Sequence, residues 1–455
     1  MVFSSNLFIF QFIPVVFLLL FLTPKKYQNL VLFLSSLFFY AWGEVRYIFI
    51  MFASVIVDYS CSNLIEKYRT NEFIMKLWLM ASIVFNLGML FVFKYSNFFI
   101  ININQLFHLD LALVNLTLPL GISFYTFQTM SYTIDVYRQK VNAEKNIIDF
   151  GAYVCLFPQL IAGPIVKYRT IATQLKSRIM NMDTLTQGIR IFLLGLSSKV
   201  LLANNIGLLW DEILLLPMRS TLTSWLGLVA FGFQIYFDFS GYSLMAIGLG
   251  KMLGFTFPEN FNYPYISKSM SEFWNRWHIT LGMWFKEYVY IPLGGNRKGS
   301  FRLLINLFIV WVFTGFWHGA EYNFILWGLY FFVLLVIEKA FLQSFLDKHP
   351  WIARVYFIPL ILVSWAIFAI TDLSQLFAYL QSLIHYTSGV EWVYYLRNYG
   401  LLIMLCFVFA TPLGKTIITT IKSQVLKDAL SYATFLIAIA YLVDSSYNPF
   451  LYFRF

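Results

Sequence analysis

The apolar run RLLINLFIVWVFTGFW, residues 302–317, ends immediately before His318. Sixteen helical residues rise about 24 Å, most of the way across a hydrocarbon core about 30 Å thick. If this helix begins at Arg302 on the cytoplasmic side, His318 lies in the outer half of the core. The run therefore predicts a transmembrane helix that carries an imidazole to membrane depth.

The whole chain has the composition of a membrane protein. Of its 455 residues, 60% are hydrophobic and 12% are charged, whereas soluble domains carry about 25% charged residues. Candidate spans lie at about 6–22, 28–43, 47–65, 76–95, 111–131, 188–209, 222–249, 302–317, 321–338, 353–370, 399–411 and 429–445. Shorter or interrupted apolar pieces, typical of re-entrant or interfacial helices beside a cavity, lie near 98–107, 150–165, 276–292 and 375–386. The predicted fold is an all-α polytopic membrane protein with roughly 11–12 transmembrane helices and short re-entrant or interfacial helices.

The net charge of +10 has a distribution typical of membrane topology. Lys and Arg lie in short connections between apolar runs instead of on one polar face, which argues against a nucleic-acid ligand. By the positive-inside rule, the connection 296–302 is cytoplasmic and the N-terminus is extracytoplasmic. The first apolar run is followed by Pro24, Lys25 and Lys26 instead of a small-residue cleavage site. We therefore expect a retained anchor surrounded by membrane lipids.

Polar residues concentrate between Asp238 and His318. Because charge within a bilayer is costly, such a cluster is the first candidate for a functional site. Burial disfavours the cationic form of His318 and leaves a neutral ring that can accept a proton from a hydroxyl, as a general base does. A core histidine that only hydrogen-bonds a backbone carbonyl is the alternative.

A second histidine, His278, lies in the segment 276–284. Trp277, Leu281 and Trp284 recur at i, i+4 and i+7, which predicts an amphipathic helix with His278 between its faces. The residue either takes part in the chemistry or lies among aromatic residues at the headgroup level. Neither histidine has a second ligand at H-x3-H spacing, so no metal is expected.

Eight stretches, distributed from residue 118 to residue 455, form a set of motifs. They are YFDFSGY (236–242), PENFNYPY (258–265), FWNRWHITL (273–281), YIPLGG (290–295), WHG (317–319), LPLGISFYTFQTMSYTIDVYR (118–138), FPQLIAGPI (157–165) and PFLYFRF (449–455). Together they resemble the membrane-bound O-acyltransferase (MBOAT) family, in its bacterial branch that acylates alginate, peptidoglycan and teichoic acid. The sequence departs from the family pattern at Lys286-Glu287, where many relatives have Arg-Asp. The signs of the charges are kept, but Lys does not reproduce the bidentate geometry of Arg.

The resemblance implies a single integral-membrane MBOAT domain over residues 1–455, with its core motifs at 236–320. It implies a bundle of helices around a central tunnel in the bacterial inner membrane, and it makes His318 and His278 the catalytic residues. The further candidates for lining the tunnel or contacting substrate are Trp317, Asn275, Arg276, Trp284, Glu287, Asp238 and Tyr242.

The resemblance also implies the substrates and partners. No bound cofactor is expected, and the acyl donor is expected to be acetyl-CoA or another acyl thioester on the cytoplasmic side. The acceptor is expected to be a glycan outside the membrane, reached directly or through a periplasmic partner with an esterase-like (SGNH-type) fold. The C-terminal motif favours alginate or peptidoglycan as the polymer over teichoic acid.

Two other function classes remain open at this stage. A transporter or flippase would also use a cavity and intramembrane polar residues, but the intramembrane carboxylates are scattered and no symmetry between two halves is evident. A non-catalytic scaffold for a periplasmic acetyltransferase would tolerate the loss of His318.

Overall fold

The computed structural model describes residues 1–444, apart from the side chain of Glu44, and Leu451. Within these residues it contains helices and connections and no β-strand. The first half comprises α1 (Ile13–Leu22), α2 (Gln28–Glu44), α3 (Ile48–Lys67), α4 (Glu72–Leu90), α5 (Ser96–Phe107), α6 (Ile122–Tyr137), α7 (Ile147–Cys155), α8 (Phe157–Leu160), α9 (Tyr168–Lys176), α10 (Met182–Ser197) and α11 (Asn204–Leu214). There follow α12 (Thr221–Met252), α13 (Met270–Trp274), α14 (Ile279–Phe285), α15 (Ser300–His318), α16 (Tyr322–Ile337), α17 (Gln343–Lys348), α18 (Pro350–Ala369), α19 (Leu373–Ile384), α20 (Glu391–Phe409), α21 (Pro412–Thr420) and α22 (Gln424–Asp444).

Nine helices in the described part of the chain are long and apolar enough to cross a membrane. They are Val45–Lys67, Glu72–Phe107, Met182–Leu214, Thr221–Met252, Ser300–His318, Tyr322–Lys348, Pro350–Ala369, Glu391–Phe409 and Gln424–Asp444. Two shorter apolar helices are Phe8–Leu22 and Leu373–Ile384. The prediction of an all-α polytopic membrane protein is confirmed. Nine is fewer than the 11–12 predicted crossings. Some of the predicted spans form helices that are too short to cross a membrane, and others are only partly helical.

The predicted span at 111–131 is wrong in its first half. Residues 109–121 are not helical, and α6 begins only at Ile122. Gly121 precedes that helix with φ +69°, and a Cβ there would lie 2.4 Å from the backbone oxygen of Leu160. The Asn97 side chain also bonds the extended backbone, donating to the Val114 carbonyl at 3.0 Å and accepting the Val114 N–H at 2.8 Å. These contacts hold an extended segment where hydropathy alone predicts a helix.

The interrupted apolar pieces divide into two kinds. The pieces near 150–165, 276–292 and 375–386 contain short helices, as predicted. The piece at 98–107 is instead continuous with α4, through a π-helical turn at Phe91–Tyr95, and belongs to one helix of 36 residues. The prediction of a separate re-entrant or interfacial helix is wrong here, because the chain stays helical through the π turn.

The first of two compact units comprises residues 1–192 and 245–258. Its helices α3, α4 and α6 pack around Asp58, which is fully buried. The carboxylate accepts hydrogen bonds from the Ser82 hydroxyl, the Asn86 amide and the Thr133 hydroxyl. Because a buried polar group in a membrane needs partners, these bonds tie three helices together at membrane depth.

The second unit comprises residues 193–244 and 259–455 and contains every predicted site residue. Its helices α15 and α16 are joined by three residues and pack as neighbours. A short connection of this kind makes the two helices antiparallel. The C-terminus of α15 therefore lies beside the N-terminus of α16, and His318 lies at that end.

Candidate active site

His318 is the last residue of α15, and its side chain is 6% exposed. The helix ends here because Gly319 has an extended backbone. Three aromatic rings pack against the imidazole: the ring centroids of Trp317, Trp327 and Phe368 lie 5.0, 5.0 and 5.2 Å from its own. His318 is thus buried among aromatic rings at the end of a transmembrane helix.

Two glycines bring α15 and α16 together beside this histidine. A Cβ on Gly315 would lie 2.3 Å from the backbone oxygen of Phe324, and a Cβ on Gly328 would lie 2.4 Å from that of Trp311. The backbones therefore approach as closely as small residues allow between membrane helices. This approach places Trp327, the residue before Gly328, against the imidazole.

The structure places His278 in a turn instead of in the predicted amphipathic helix over 276–284. α14 begins only at Ile279, and His278 lies in the left-handed region at φ +43°. The Ile279 N–H donates a hydrogen bond of 3.0 Å to the Asn260 carbonyl. The predicted helix is confirmed from Ile279 onward and is wrong at residues 276–278, where pairing with a segment distant in the sequence prevails over local periodicity.

Asn260 also orients the ring of His278. The Nδ1 atom lies 3.2 Å from Asn260 Oδ1, which accepts the backbone N–H and the hydroxyl of Thr280 at 3.2 and 2.8 Å. Because a backbone N–H only donates, this amide atom is an acceptor, so Nδ1 carries the proton and Nε2 is the acceptor nitrogen of the neutral ring. Burial lowers the pKa of His278 to about 3, since removal from water disfavours the cation. His278 is therefore a neutral imidazole of defined orientation.

Trp317 lies next to both histidines. Its ring centroid is 5.8 Å from that of His278 and 5.0 Å from that of His318. The indole is only 2% exposed. The fold thus brings His278 of the RWH motif together with Trp317 and His318 of the WHG motif. The two motifs are about forty positions apart in the sequence.

A cavity of about 990 Å³ lies beside α15 in the same unit. Its wall includes Leu307, Trp311 and Thr314, which share one face of α15 because their spacing is three or four residues. Thr314 lies one helical turn, about 6 Å of rise, before His318. Among the described residues, neither histidine is part of this cavity's wall.

Four basic residues line the cavity, namely Lys286, Arg297, Lys298 and Lys339. Arg297 and Lys298 precede α15, and Lys339 lies just after α16, at the same end of the helix pair. No Asp or Glu is among the described residues of the wall. Such a concentration of one sign of charge attracts anionic ligands. The cavity therefore extends from a basic end to within one helical turn of His318.

Asn275 and Arg276 lie just before the turn at His278. Asn275 lines the cavity, and its amide donates a hydrogen bond of 3.0 Å to the Ser271 carbonyl. Arg276 forms an ion pair of 2.9 Å with Glu272 and donates to the Asn262 carbonyl at 3.1 Å. The structure thus places Asn275 on the cavity wall and Arg276 in local contacts.

Trp284 and Glu287 lie further along the same segment. Trp284 is 4% exposed and packs against Phe285 and Tyr288, with ring centroids at 5.5 and 5.3 Å. Glu287 is half-buried on a π-helical turn. Neither belongs to the described part of the cavity wall. Their contact with substrate stays a prediction.

Asp238 lies in a buried ion pair on α12. Lys199 Nζ is 2.5 Å from one carboxylate oxygen, and the Leu451 N–H donates to the other at 2.9 Å. Apart from Leu451, the motif at 449–455 lies outside the described residues. Tyr242, one turn further along α12, is fully buried. The predicted role of Asp238 and Tyr242 in lining a tunnel stays a prediction.

Three residues of this site have no role in the sequence-based prediction. Lys199 is signalled by a charge inside the apolar run 188–209, because such a residue needs a partner. Asn260 belongs to the motif at 258–265, yet nothing in that motif indicates that its side chain orients a histidine. Trp327 lies in a uniformly apolar run, and only its three-dimensional contacts distinguish it.

The family described as MBOAT, membrane-bound O-acyltransferase family, matches residues 62–370. The match covers more than half of the chain and includes both histidines. The chain belongs to the membrane-bound O-acyltransferase family. The MBOAT resemblance inferred from the sequence motifs is confirmed.

Individual MBOAT relatives cover most of the chain. The probable alginate O-acetylase AlgI of Pseudomonas aeruginosa is 40% identical over 82% of this chain and 73% of its own length. The peptidoglycan O-acetyltransferase of Helicobacter pylori is 32% identical over 100% of this chain and 98% of its own length. A teichoic acid D-alanyltransferase of Streptococcus thermophilus is 30% identical over 50% of this chain and 58% of its own length. This MBOAT protein is a multi-pass membrane O-acyltransferase, and the prediction of an enzyme is confirmed.

Proposed function

We propose that this enzyme transfers an acetyl group from a cytoplasmic acyl thioester to a hydroxyl of an extracytoplasmic polysaccharide. The acceptor is peptidoglycan or an alginate-like polymer, and the enzyme works in the bacterial inner membrane with its N-terminus outside. One observation carries the proposal: a cavity with a basic end extends to Thr314, one turn before a buried histidine.

The basic end of the cavity is the proposed donor site. Acetyl-CoA carries several phosphate charges, which the positive wall formed by Lys286, Arg297 and their neighbours would attract. The loop 296–302 is cytoplasmic by the positive-inside rule, so the site faces the compartment that contains the donor. Polyanionic CoA stays on that side, and only the acyl group passes toward His318.

His318 is the proposed general base. A neutral imidazole nitrogen takes the proton of the acceptor hydroxyl as its oxygen attacks the thioester carbon. The carbon–sulfur bond then breaks, the ester bond forms, and the proton passes from the imidazole to the departing thiolate. Base catalysis of this kind contributes about 10²–10⁴-fold, and positioning of the two reactants contributes further.

His278 has a more restricted role in this mechanism. Its proton is on Nδ1, directed to Asn260, so Nε2 accepts hydrogen bonds and does not donate one to a carbonyl. We therefore assign His278 to orienting the acceptor hydroxyl or sharing its proton. In this mechanism His278 does not polarise the acyl carbonyl, and other groups must do so.

The names of the relatives support the polysaccharide acceptor. The two that cover most of the chain are an alginate O-acetylase and a peptidoglycan O-acetyltransferase. A separate periplasmic protein with an esterase-like fold is the proposed partner that completes transfer onto the polymer. Membranes stripped of extracytoplasmic proteins should then stop acetylating the polymer, and restoring the removed fraction should recover acetylation.

Transfer of label from radiolabelled acetyl-CoA to polysaccharide tests the proposed function. We expect base-labile label with the wild type and with His385→Ala, a matched control in which the exchanged histidine is exposed. His318→Ala should lose that label at equal protein level. Undiminished label in His318→Ala would reject the mechanism and favour a scaffold. Movement of a substrate across the vesicle membrane without acyl transfer would favour a transporter.

A further inference from the structure

The surroundings of His318 consist of large aromatic side chains. Trp327 and Phe368 are 1% and 3% exposed, and both pack directly on the imidazole. In the proposed reaction the acyl carbonyl carbon must come within about 3–3.5 Å of the hydroxyl oxygen that His318 deprotonates. The rest of the acyl group then lies among these rings.

Trp327 connects the cavity wall to the histidine through ring contacts. Its ring centroid is 5.0 Å from that of His318 and 5.5 Å from that of Trp274. Trp274 lines the cavity and packs on Trp311, another wall residue, at 4.7 Å. An acyl group that moved from the cavity to His318 along this row of rings would pass the indole of Trp327.

The position of this indole is fixed by its surroundings. The contact of α15 with α16 at Gly315 and Gly328 leaves no space between the backbones for a shift of the helix that carries Trp327. Its ring also packs on Phe331 and Phe368, with centroids at 5.0 and 5.3 Å. Interiors packed this closely respond to a change of one methylene. The wall formed by Trp327 thus has a defined size.

We propose that Trp327 sets the upper limit of acyl size, so that the site accepts acetyl and excludes butanoyl and longer chains. The inference rests on the proposed function and adds to it the residue that limits the size of the acyl group. Misfit of one methylene in an apolar pocket changes selectivity by about 10–200-fold, which is enough for such exclusion.

Competition between two donors in the same membranes tests the proposal. Vesicles that contain the full chain, supplied with the extracytoplasmic protein fraction and the polysaccharide, receive equal amounts of acetyl-CoA and butanoyl-CoA, and the two esters on the polysaccharide are quantified by mass spectrometry. The ratio does not depend on the amount of folded enzyme, because both donors meet the same molecules. In Trp327→Leu we expect the butanoyl share to rise about tenfold or more, and in Trp327→Phe by a smaller factor.

Trp365→Leu is the matched control. Trp365 is also 1% exposed and belongs to the same aromatic cluster, where it packs on Trp277 at 4.8 Å and on Phe368 at 5.9 Å. Its ring contacts in the described residues do not include His318, so its exchange should leave the ratio unchanged.

The outcomes separate this inference from the proposed function. An unchanged ratio in Trp327→Leu, with acetyl transfer that still requires His318, would overturn the acyl-size limit and leave the proposed function intact. An equal rise in Trp365→Leu would also overturn it, because general loosening of the cluster would then explain both. If Trp327→Leu transfers neither acyl group, the ratio of butanoyl to acetyl ester is measured in Trp327→Phe. A ratio in that variant equal to the wild-type ratio would reject the proposal.

Discussion

The two histidines of this enzyme are held in different ways. His278 lies in a left-handed turn, and Asn260 fixes the ring through Nδ1. His318 lies at the end of a helix and packs against Trp317, Trp327 and Phe368. A hydrogen bond fixes which nitrogen carries the proton, whereas ring packing fixes the space around an imidazole. This difference matches the roles that we propose, in which His278 orients a reacting group and His318 accepts the proton of the acceptor hydroxyl.

The largest expected effect separates the two histidines by rate. His318→Ala should lower acetyl transfer by about 10³-fold, within the range of lost general-base catalysis. His278→Ala should lower it by about 10-fold, because an orienting residue contributes less than the base itself. Initial rates in vesicles at equal protein level give the two numbers. Equal losses, or a larger loss in His278→Ala, would contradict the assigned roles.

Removing the Asn260 side chain should have the next largest effect. Asn260→Ala deprives His278 Nδ1 and the Thr280 N–H of an acceptor, which leaves buried donors unsatisfied at a cost of about 1–3 kcal/mol each. We expect transfer to fall by about 10-fold and to fall little further when His278→Ala is added, because both changes remove one oriented ring. Rates of the two single variants and the double variant measure this coupling.

A second buried asparagine provides the control for that experiment. Asn86 is 1% exposed and bonds the Asp58 carboxylate in the first unit. Asn86→Ala should lower thermal stability and combine additively with His278→Ala in its effect on rate. If Asn260→Ala also combined additively with His278→Ala, this would contradict the conclusion that Asn260 acts by orienting the ring of His278.

The pH dependence of stability should report the burial of His278. Burial lowers its pKa from 6.5 to about 3, so the unfolded chain binds a proton below pH 6.5 that the folded chain does not bind. The stabilising contribution of the neutral ring is complete above pH 6.5 and is lost as the pH falls. Between pH 6.5 and 5.0 the loss amounts to about 2 kcal/mol. Thermal unfolding in detergent at several pH values should show this loss of stability for the wild type. The loss should be much smaller for His278→Gln.

The same scan includes a control histidine. His385 is exposed, so His385→Gln should keep the pH dependence of the wild type. A pH dependence in His278→Gln equal to that of the wild type would show that other groups cause it.

The smallest expected effect concerns the segment that leads to His278. The Glu338 carboxylate is fully buried and accepts the backbone N–H groups of Met270 and Ser271 at the start of α13, at 2.6 and 3.0 Å. Glu338→Gln should lower stability by about 1–2 kcal/mol through weaker hydrogen bonds, with a loss of transfer below about threefold. Glu338→Asp, which keeps the charge, is the comparison. A severe loss of transfer at normal stability would show that this carboxylate acts in the reaction instead of in the fold.

Hydrophobic runs and ordered motifs determine much of this protein without reference to contacts. The apolar run before His318 is a helix because it is long and apolar enough to cross a membrane, where the backbone must be bonded internally. The family follows from motifs such as 273–281 and 317–319, which are long enough to be specific. Composition and local pattern therefore suffice for the class of fold and for the family, and the same motifs are the basis for predicting the two histidines as catalytic.

Only the tertiary structure determines how these residues are arranged. The turn at His278 depends on a bond to Asn260, eighteen positions away, and the partner of Asp238 is Lys199, thirty-nine positions away. Trp327 becomes part of the site only because two glycines let α15 and α16 touch. Pairings between distant segments outweigh local propensity here, since a buried polar group must find its partner wherever the chain supplies one.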